Sequence, residues 1–422
     1  MDSEYFDKLE TRDEMTRSLA LQMELPKQIA LAKSATNAYS EILADVVPSS
    51  IVSLEALASL PVTRKSELME RQAADRPFGG LAAARPGEMV RVYASPGPVY
   101  EPEGSAPDYW RTARALYAAG VRSGDLLHNT LSYHFTPAGF MIESGAREIG
   151  CGVFPAGVGQ TELQVATVVD LQPNVYCGTP SFLKILIDKA AELDADISCI
   201  KKGLVGGEAL PPSLRETLSG HGVDVLQFYG TADVGVIAYE SSAKEGLIID
   251  EKVIVEIVTP GTGDPVNGEE VGEVVVTSFS ESYPLVRFAT GDLSKFLPGQ
   301  SPCGRTNMRI AGWMGRADQT TKVKGMFVRP EQVAAVVKRH PEIQKARLVV
   351  DREGANDSMT LYCELTGCEL AGCEVSDAGD SLADAIRDSL REVCKLRGEV
   401  SFVASGELAD DGKVIDDVRS YE

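Results

Sequence analysis

The chain has no run approaching the roughly 20 apolar residues that a bilayer span requires, so a transmembrane helix is not expected. Its eight cysteines form no CxxC pair. Cys151, Cys177, Cys199, Cys363 and Cys394 sit in apolar runs, which points to structural thiols in a reducing compartment. Cys363, Cys368 and Cys373 are evenly spaced, yet no His accompanies them, so a metal site is not the favoured reading. Positive charge is in deficit. Lys+Arg 41 against Asp+Glu 62 leaves a net charge of −21, which argues against nucleic acid or an anionic membrane as partner. The opening Met1-Asp2-Ser3-Glu4-Tyr5 is acidic and lacks a basic region followed by an apolar one, so no secretory signal is expected and the cytoplasm is.

What is present is ordinary for a globular protein: 44% hydrophobic, 24% charged and 6% aromatic residues over 422 positions. That length accommodates more than one domain with its own core. Residues up to about 75 read as helices, with Met15, Leu19 and Met23, then Ile29, Ala32 and Ala35, near helical spacing. A strand at Met89–Tyr93 then runs into the turn-rich Ala94-Ser95-Pro96-Gly97-Pro98 stretch before a helix from Asp108 to Ala119. The stretch carries no Lys, and its glycines are dispersed, so by residue type it reads as a structural turn rather than a phosphate cradle.

From Asp125 to Phe228, strand-like and helical segments alternate, which predicts a parallel sheet with helices on its faces. Two strand ends carry candidate ligand groups. Gly206-Gly207-Glu208 lets backbone approach a ligand, with Glu208 able to accept from an adenine amino group; a helix-capping turn is the alternative. After the apolar Val223–Leu226 run, Tyr229-Gly230-Thr231-Ala232-Asp233 offers a ring for a purine, a hydroxyl for phosphate and a carboxylate for Mg²⁺. Residues 236 to 312 read as antiparallel β, and their Thr290-Gly291-Asp292 turn could take a ribose diol on its carboxylate. Beyond Gly315-Arg316-Ala317-Asp318, the order β-α-β-β-α-β predicts a ferredoxin-like unit.

Together, Tyr229–Asp233, Ala289-Thr290-Gly291-Asp292-Leu293, Gly315–Asp318 and Lys322-Val323-Lys324-Gly325 resemble the adenylate-forming acyl-CoA synthetase superfamily. More closely the chain is similar to the phenylacetate–CoA ligase family, through Leu57–Lys65, Ala115–Asp125, Gly178-Thr179-Pro180-Ser181 and Cys303-Gly304-Arg305-Thr306. The resemblance spans essentially the whole chain. It implies an α/β fold: a large domain, residues 1–316, with a parallel α/β sheet plus a β-rich subdomain, and a small mobile ferredoxin-like α+β domain, 317–422. It also implies an ATP-dependent acid–CoA ligase, in which a carboxylate attacks the α-phosphorus of ATP and the CoA thiol then displaces AMP.

By the same resemblance, Tyr229 stacks on adenine and Asp233 holds Mg²⁺. Asp292 binds the ribose, and Ser95, Gly207, Glu208, Gly230, Thr231, Arg305 and Arg316 join the nucleotide site. Leu131, Tyr133, His134, Phe135 and Thr136 fall at the acid pocket, Asp318 at the hinge, and Lys413 at the catalytic lysine of the small domain. The departures are the loop around Ser95, which lacks the family's Lys, and Ala232-Asp233, where a hydroxyl and a methylene are missing. Relatives often place a Cys and a His near 241–248, beside a cysteine like Cys303; this chain has neither there, so a zinc site is not expected. The expected substrates are a small carboxylic acid, aryl or otherwise, with ATP and CoA, handled by a monomer or homodimer. Two alternatives stand beside this: a non-catalytic nucleotide or acyl-adenylate binder, and an adenylating enzyme that passes its acyl group to an amine or a carrier protein.

Overall fold

The computed structural model describes residues 4–96, 98–317, 321–324, 326–353, 356–365, 377–404, 406–408 and 414–419. The chain divides into two compact units, Met1–Gly315 and Arg316–Glu422.

The large unit is built on a nine-stranded mixed sheet. Gly152–Pro155, Leu126–Asn129, Val175–Gly178, Lys202–Val205 and Asp224–Thr231 lie side by side and parallel. Strand alternation sends Val175, Cys177, Leu204 and Leu226 into one core with Leu116 and Ile142. It sends Tyr176, Val205 and Val225 into another with Val165, Val168 and Leu186. Apolar residues on both faces are what a parallel sheet covered by helices requires. The helices supplying these cores are Ala113–Ala118 and Ala138–Ile149 for the first, and Thr161–Leu171 and Pro180–Glu192 for the second.

The strand Asp224–Thr231 is where the sheet changes sense. Residues up to Gln227 pair parallel with Lys202–Val205, whereas Phe228 to Thr231 pair antiparallel with Gly235–Glu240. Tyr229 therefore lies on an extended strand leading into a hairpin, not on a turn that follows a strand end. Leu247–Ile249, Arg309–Ile310 and Phe296–Leu297 complete the antiparallel side.

A second sheet orders Thr63–Arg64, Phe288–Ser294, Gly272–Ser278 and Val253–Val258. Thr290-Gly291-Asp292 is part of its strand rather than a connecting turn. The register slips between Glu273 and Val275, and Gly291 takes φ +77°, so these residues form an irregularity inside the ladder. The amino-terminal helix Glu14–Ala35 packs Leu25, Ile29 and Ala32 against Ile254, Val274 and Phe288 of this sheet. Its Met15, Leu19 and Met23 are instead exposed.

Two local expectations change. The turn-rich stretch around Ser95 folds into a hairpin of Arg91–Ser95 and Val99–Glu103. The helix after it begins at Ala113, because Asp108, at φ +42°, accepts hydrogen bonds from the amides of Thr112 and Ala113 and holds the preceding residues as a loop. Burial pushes the Asp108 carboxyl up to about 6.

The small unit carries a four-stranded sheet with two helices, Pro330–Arg339 and Asp377–Cys394. Its core joins Val333 and Val336 of the first helix and Ile386 and Leu390 of the second to Leu348, Val350 and Leu361. One strand differs from the expected order. Among the described residues, Thr321–Val323 pairs only with Met326–Val328, in a two-stranded sheet of its own. The sheet edge is taken by Ile415–Asp417, parallel to Ile343–Glu353.

Candidate active site

Two strands of different sheets bring the aromatic and the acidic motif together. The Tyr229 hydroxyl donates to Asp292 Oδ2 at 2.8 Å, with Thr290 Oγ1 at 3.2 Å. Trp313 Nε1 donates to Asp292 Oδ1 at 3.1 Å, so both oxygens of this buried carboxylate are held. Thr290 fixes the backbone beneath it, accepting from the Asp292 amide at 3.1 Å and donating to the Val274 carbonyl at 3.0 Å. The result is a carboxylate in a set orientation beside a half-buried phenol ring and a partly exposed indole.

The hairpin that continues the Tyr229 strand positions Asp233. Gly230 is required for its close approach: a Cβ there would stand 2.7 Å from the Gly235 carbonyl oxygen. Thr231 Oγ1 accepts from the Val234 amide at 3.1 Å, which closes the turn. The Arg111 guanidinium donates to the carbonyls of Val234 and Val236 and braces the same turn from outside.

Asp233 is buried, and its Oδ2 accepts from Lys65 Nζ at 2.5 Å. Its Oδ1 is also buried and has no partner among the described residues. Glu101 lies in the same neighbourhood, accepting from the Ser95 amide at 3.3 Å. Burial, and then the charge of Asp233, push the Glu101 carboxyl up to about 8. Burial alone would lower the Lys65 ammonium, but the adjacent Asp233, with Glu101 and Asp292 behind it, holds it above its ordinary value. Lys65 thus feels carboxylates from each of the motifs.

This arrangement can bind a polar, cation-associated ligand between a fixed carboxylate and an aromatic wall. Known proteins of similar sequence and fold agree with such a ligand. A family described as AMP-binding enzyme matches residues 109–280. The phenylacetate-coenzyme A ligase of Thermus thermophilus is 32% identical over 368 residues, covering 82% of this chain and 81% of that protein. The enzyme of the same name from Aromatoleum evansii is 31% identical over 336 residues, covering 76% and 74%. The chain belongs to the phenylacetate–coenzyme A ligase family. In fold it is similar to a crystal structure of 2-hydroxyisobutyryl-CoA ligase in complex with 2-HIB-AMP and CoA. That similarity has a TM-score of 0.82 at 24% identity, over 100% of this chain and 94% of that one.

For a member of the phenylacetate–coenzyme A ligase family, the remaining site residues fall into distinct places. Leu131 packs on the core beside the parallel sheet. The Tyr133 hydroxyl accepts from Asn129 Nδ2 at 2.8 Å, and its ring meets Phe140 edge-on at 5.1 Å. Burial raises the Tyr133 phenol, which stays protonated at neutral pH. Thr136 is half-buried, while His134 and Phe135 are exposed, Phe135 to 77% and at φ +63°. The Phe135 carbonyl accepts from the Ala94 amide at 2.8 Å, so this segment is tied to the Ser95 hairpin.

Two residues assigned to the nucleotide have protein partners in the structure. Glu208 is exposed, and its Oε1 accepts from the Ser181 amide at 2.7 Å, so it caps the helix Pro180–Glu192 from the Gly207 turn. Arg305 is buried against the amino-terminal segment, where its Nε donates to Glu10 Oε1 at 2.5 Å and the Glu10 carboxylate balances its charge. Next to it, burial pushes the Cys303 thiol up, but hydrogen bonds from Ser241, Ser301 and Arg305 carry it below its ordinary value. Arg316 opens the small unit. Asp318 and Lys413 lie outside the described residues.

The sequence reading missed Lys65, Glu101 and Trp313 as site residues. Lys65 and Trp313 stood in plain view, one closing the Leu57–Lys65 stretch and the other just before Gly315-Arg316. Neither residue type alone marks a nucleotide site. A surface cavity of about 210 Å³ among Leu183, Ile187, Ile197 and Val223 lies on the helical layer and brings together no such polar set.

Proposed function

We propose that the chain is an ATP-dependent carboxylic acid–CoA ligase working through an acyl-adenylate, on an aryl or small organic acid. The hydrogen-bonded group of Tyr229, Asp292 and Trp313 carries this reading. It presents an aromatic face for the adenine, and a carboxylate whose orientation is fixed before the nucleotide arrives can accept from the ribose hydroxyls. Preorganisation of that kind holds the α-phosphorus in line for attack.

In the first half-reaction an oxygen of the ionised acid attacks the α-phosphorus, and the α–β phosphoanhydride bond breaks with its electron pair leaving on pyrophosphate. In the second, the CoA sulfur attacks the acyl carbon and AMP leaves. Asp233 suits magnesium, because Oδ1 is a buried oxygen with no partner among the described residues, and this ion commonly joins one or two carboxylates to substrate phosphates. Bound there, the ion would supply charge neutralisation at the phosphates. Thr231, whose Oγ1 accepts from the Val234 amide, keeps its hydroxyl hydrogen to give to phosphate. Leu131, Tyr133 and Thr136 form the acid side, with His134 and Phe135 at its rim.

Residues 1–316 act as the adenylation domain and 317–422 as a small mobile domain turning about Asp318, with Lys413 reaching the α-phosphate for the first half-reaction. Pyrophosphate release across a panel of aryl and short aliphatic acids, with and without CoA, tests the reading. Release that depends on the acid, followed by thioester only when CoA is present, supports it. No release with any acid refutes it.

The tight hairpin at Ser95, with no Lys in its turn, favours a second reading: a protein that binds the adenylate without making it. Tight AMP binding with no pyrophosphate release would select that reading.

A further inference from the structure

Lys65 opens a single turn of 3₁₀ helix, Lys65–Glu67, directly after the short strand Thr63–Arg64. That strand pairs parallel with Phe288 and Ala289, which places the lysine beside the strand bearing Thr290 and Asp292. Its ammonium crosses to Asp233, 168 positions away in the chain. This is its one hydrogen bond among the described residues, and an ammonium has further N–H donors to give. The Lys65 side chain keeps 30% of its surface exposed, whereas that of Asp233 keeps none. The lysine is therefore anchored at its tip, while part of its side chain reaches the surface.

The surrounding charge poses a problem that a cation must solve. Asp233 and Asp292 act on this one ammonium, and Glu101, raised to about 8, adds its charge only as the pH rises above neutral. A triphosphate entering among carboxylates is repelled unless positive charge meets it. The turn Ala94-Ser95-Pro96-Gly97-Pro98 contributes no lysine to that end.

We propose, building on the ligase reading above, that Lys65 is the residue that grips the β- and γ-phosphates of ATP. Asp233 fixes its ammonium through one hydrogen bond, and the remaining N–H donors meet phosphate oxygens. The same contacts stabilise the charge that collects on pyrophosphate as the α–β bond breaks. Lys65 thus supplies from the amino-terminal segment the grip that the Ser95 turn lacks.

The test is equilibrium titration of ATP, pyrophosphate and AMP, each in metal-free buffer, into wild type, Lys65→Met and Lys65→Arg. Lys65→Met is expected to weaken ATP and pyrophosphate by about ten- to a hundredfold, the worth of one or two charge-assisted hydrogen bonds, and to leave AMP unchanged. Lys65→Arg should recover part of the loss. Unchanged pyrophosphate affinity in Lys65→Met, or an AMP loss that parallels the ATP loss, overturns the proposal. Should Lys65→Met fail to fold with Asp233 left uncompensated, Lys65→Met/Asp233→Asn against Asp233→Asn alone carries the same comparison. Wild type binding neither AMP nor ATP would overturn the ligase reading itself, whereas wild type binding all three with Lys65→Met unaltered removes only the role of the lysine.

Discussion

Tyr229 and Asp292 stand 63 positions apart and belong to different sheets, yet the hydroxyl of one rests 2.8 Å from the carboxylate of the other. That bond, together with the Trp313 indole, orients Asp292 before any ligand arrives. Replacing Asp292 by Ala removes the acceptor for a ribose diol. AMP affinity is expected to fall by about 1.5–3 kcal/mol, the usual worth of a hydrogen bond to a charged group. Titration calorimetry with AMP measures it; undiminished affinity would place the nucleotide elsewhere.

Trp313 doubles as a reporter. The chain has 2 Trp, and Trp110 is fully buried, whereas Trp313 is partly exposed and bonded to Asp292. AMP should change the fluorescence of wild type, and Trp313→Phe should abolish the change. A response that survives in Trp313→Phe contradicts the placement of the site.

Glu101 makes stability depend on pH. Its folded carboxyl is raised from 4.5 to about 8 by burial and then by Asp233. A raised carboxyl binds its proton more tightly folded than unfolded, so its contribution is intact in acid. Stability then falls by up to ~1.4 kcal/mol per pH unit as the pH rises from the ordinary carboxyl value towards the raised one. Glu101→Gln should flatten this slope between pH 5 and about 8 in denaturant titrations. Parallel slopes for variant and wild type would show that Glu101 titrates normally.

Arg305 and Glu10 supply a contrast. Their ion pair is buried, with side-chain exposures of 4% and 0%. Glu10→Gln should destabilise the fold by about 3–5 kcal/mol, since it strands a buried guanidinium. The affinity of the folded protein for ATP should not move. A selective loss of ATP affinity would return Arg305 to the nucleotide site.

The parallel strands were legible because short apolar runs such as Leu126-Leu127, Val175-Tyr176-Cys177 and Val223–Leu226 alternate with helical stretches. The Tyr229 and Asp292 motifs were legible as residue types, but the conformation of each was not. Whether Phe228 to Thr231 turn or stay extended depends on the antiparallel partner Gly235–Glu240, and the bulge at Gly291 depends on the register of Gly272–Ser278. Lys65 and Asp233 are joined only through the pairing of Thr63–Arg64 with a strand far along the chain, which no local pattern encodes. The pairing of Arg305 was hidden for the same reason, its partner Glu10 lying 295 positions away. The edge strand Ile415–Asp417 is too short for its alternation to be read.

Isotopic exchange between pyrophosphate and ATP, run over a panel of carboxylic acids, probes the account most directly. Exchange that requires an acid, proceeds without CoA and disappears in Asp292→Ala is the predicted result. A chain that binds AMP but exchanges no label with any acid would contradict it.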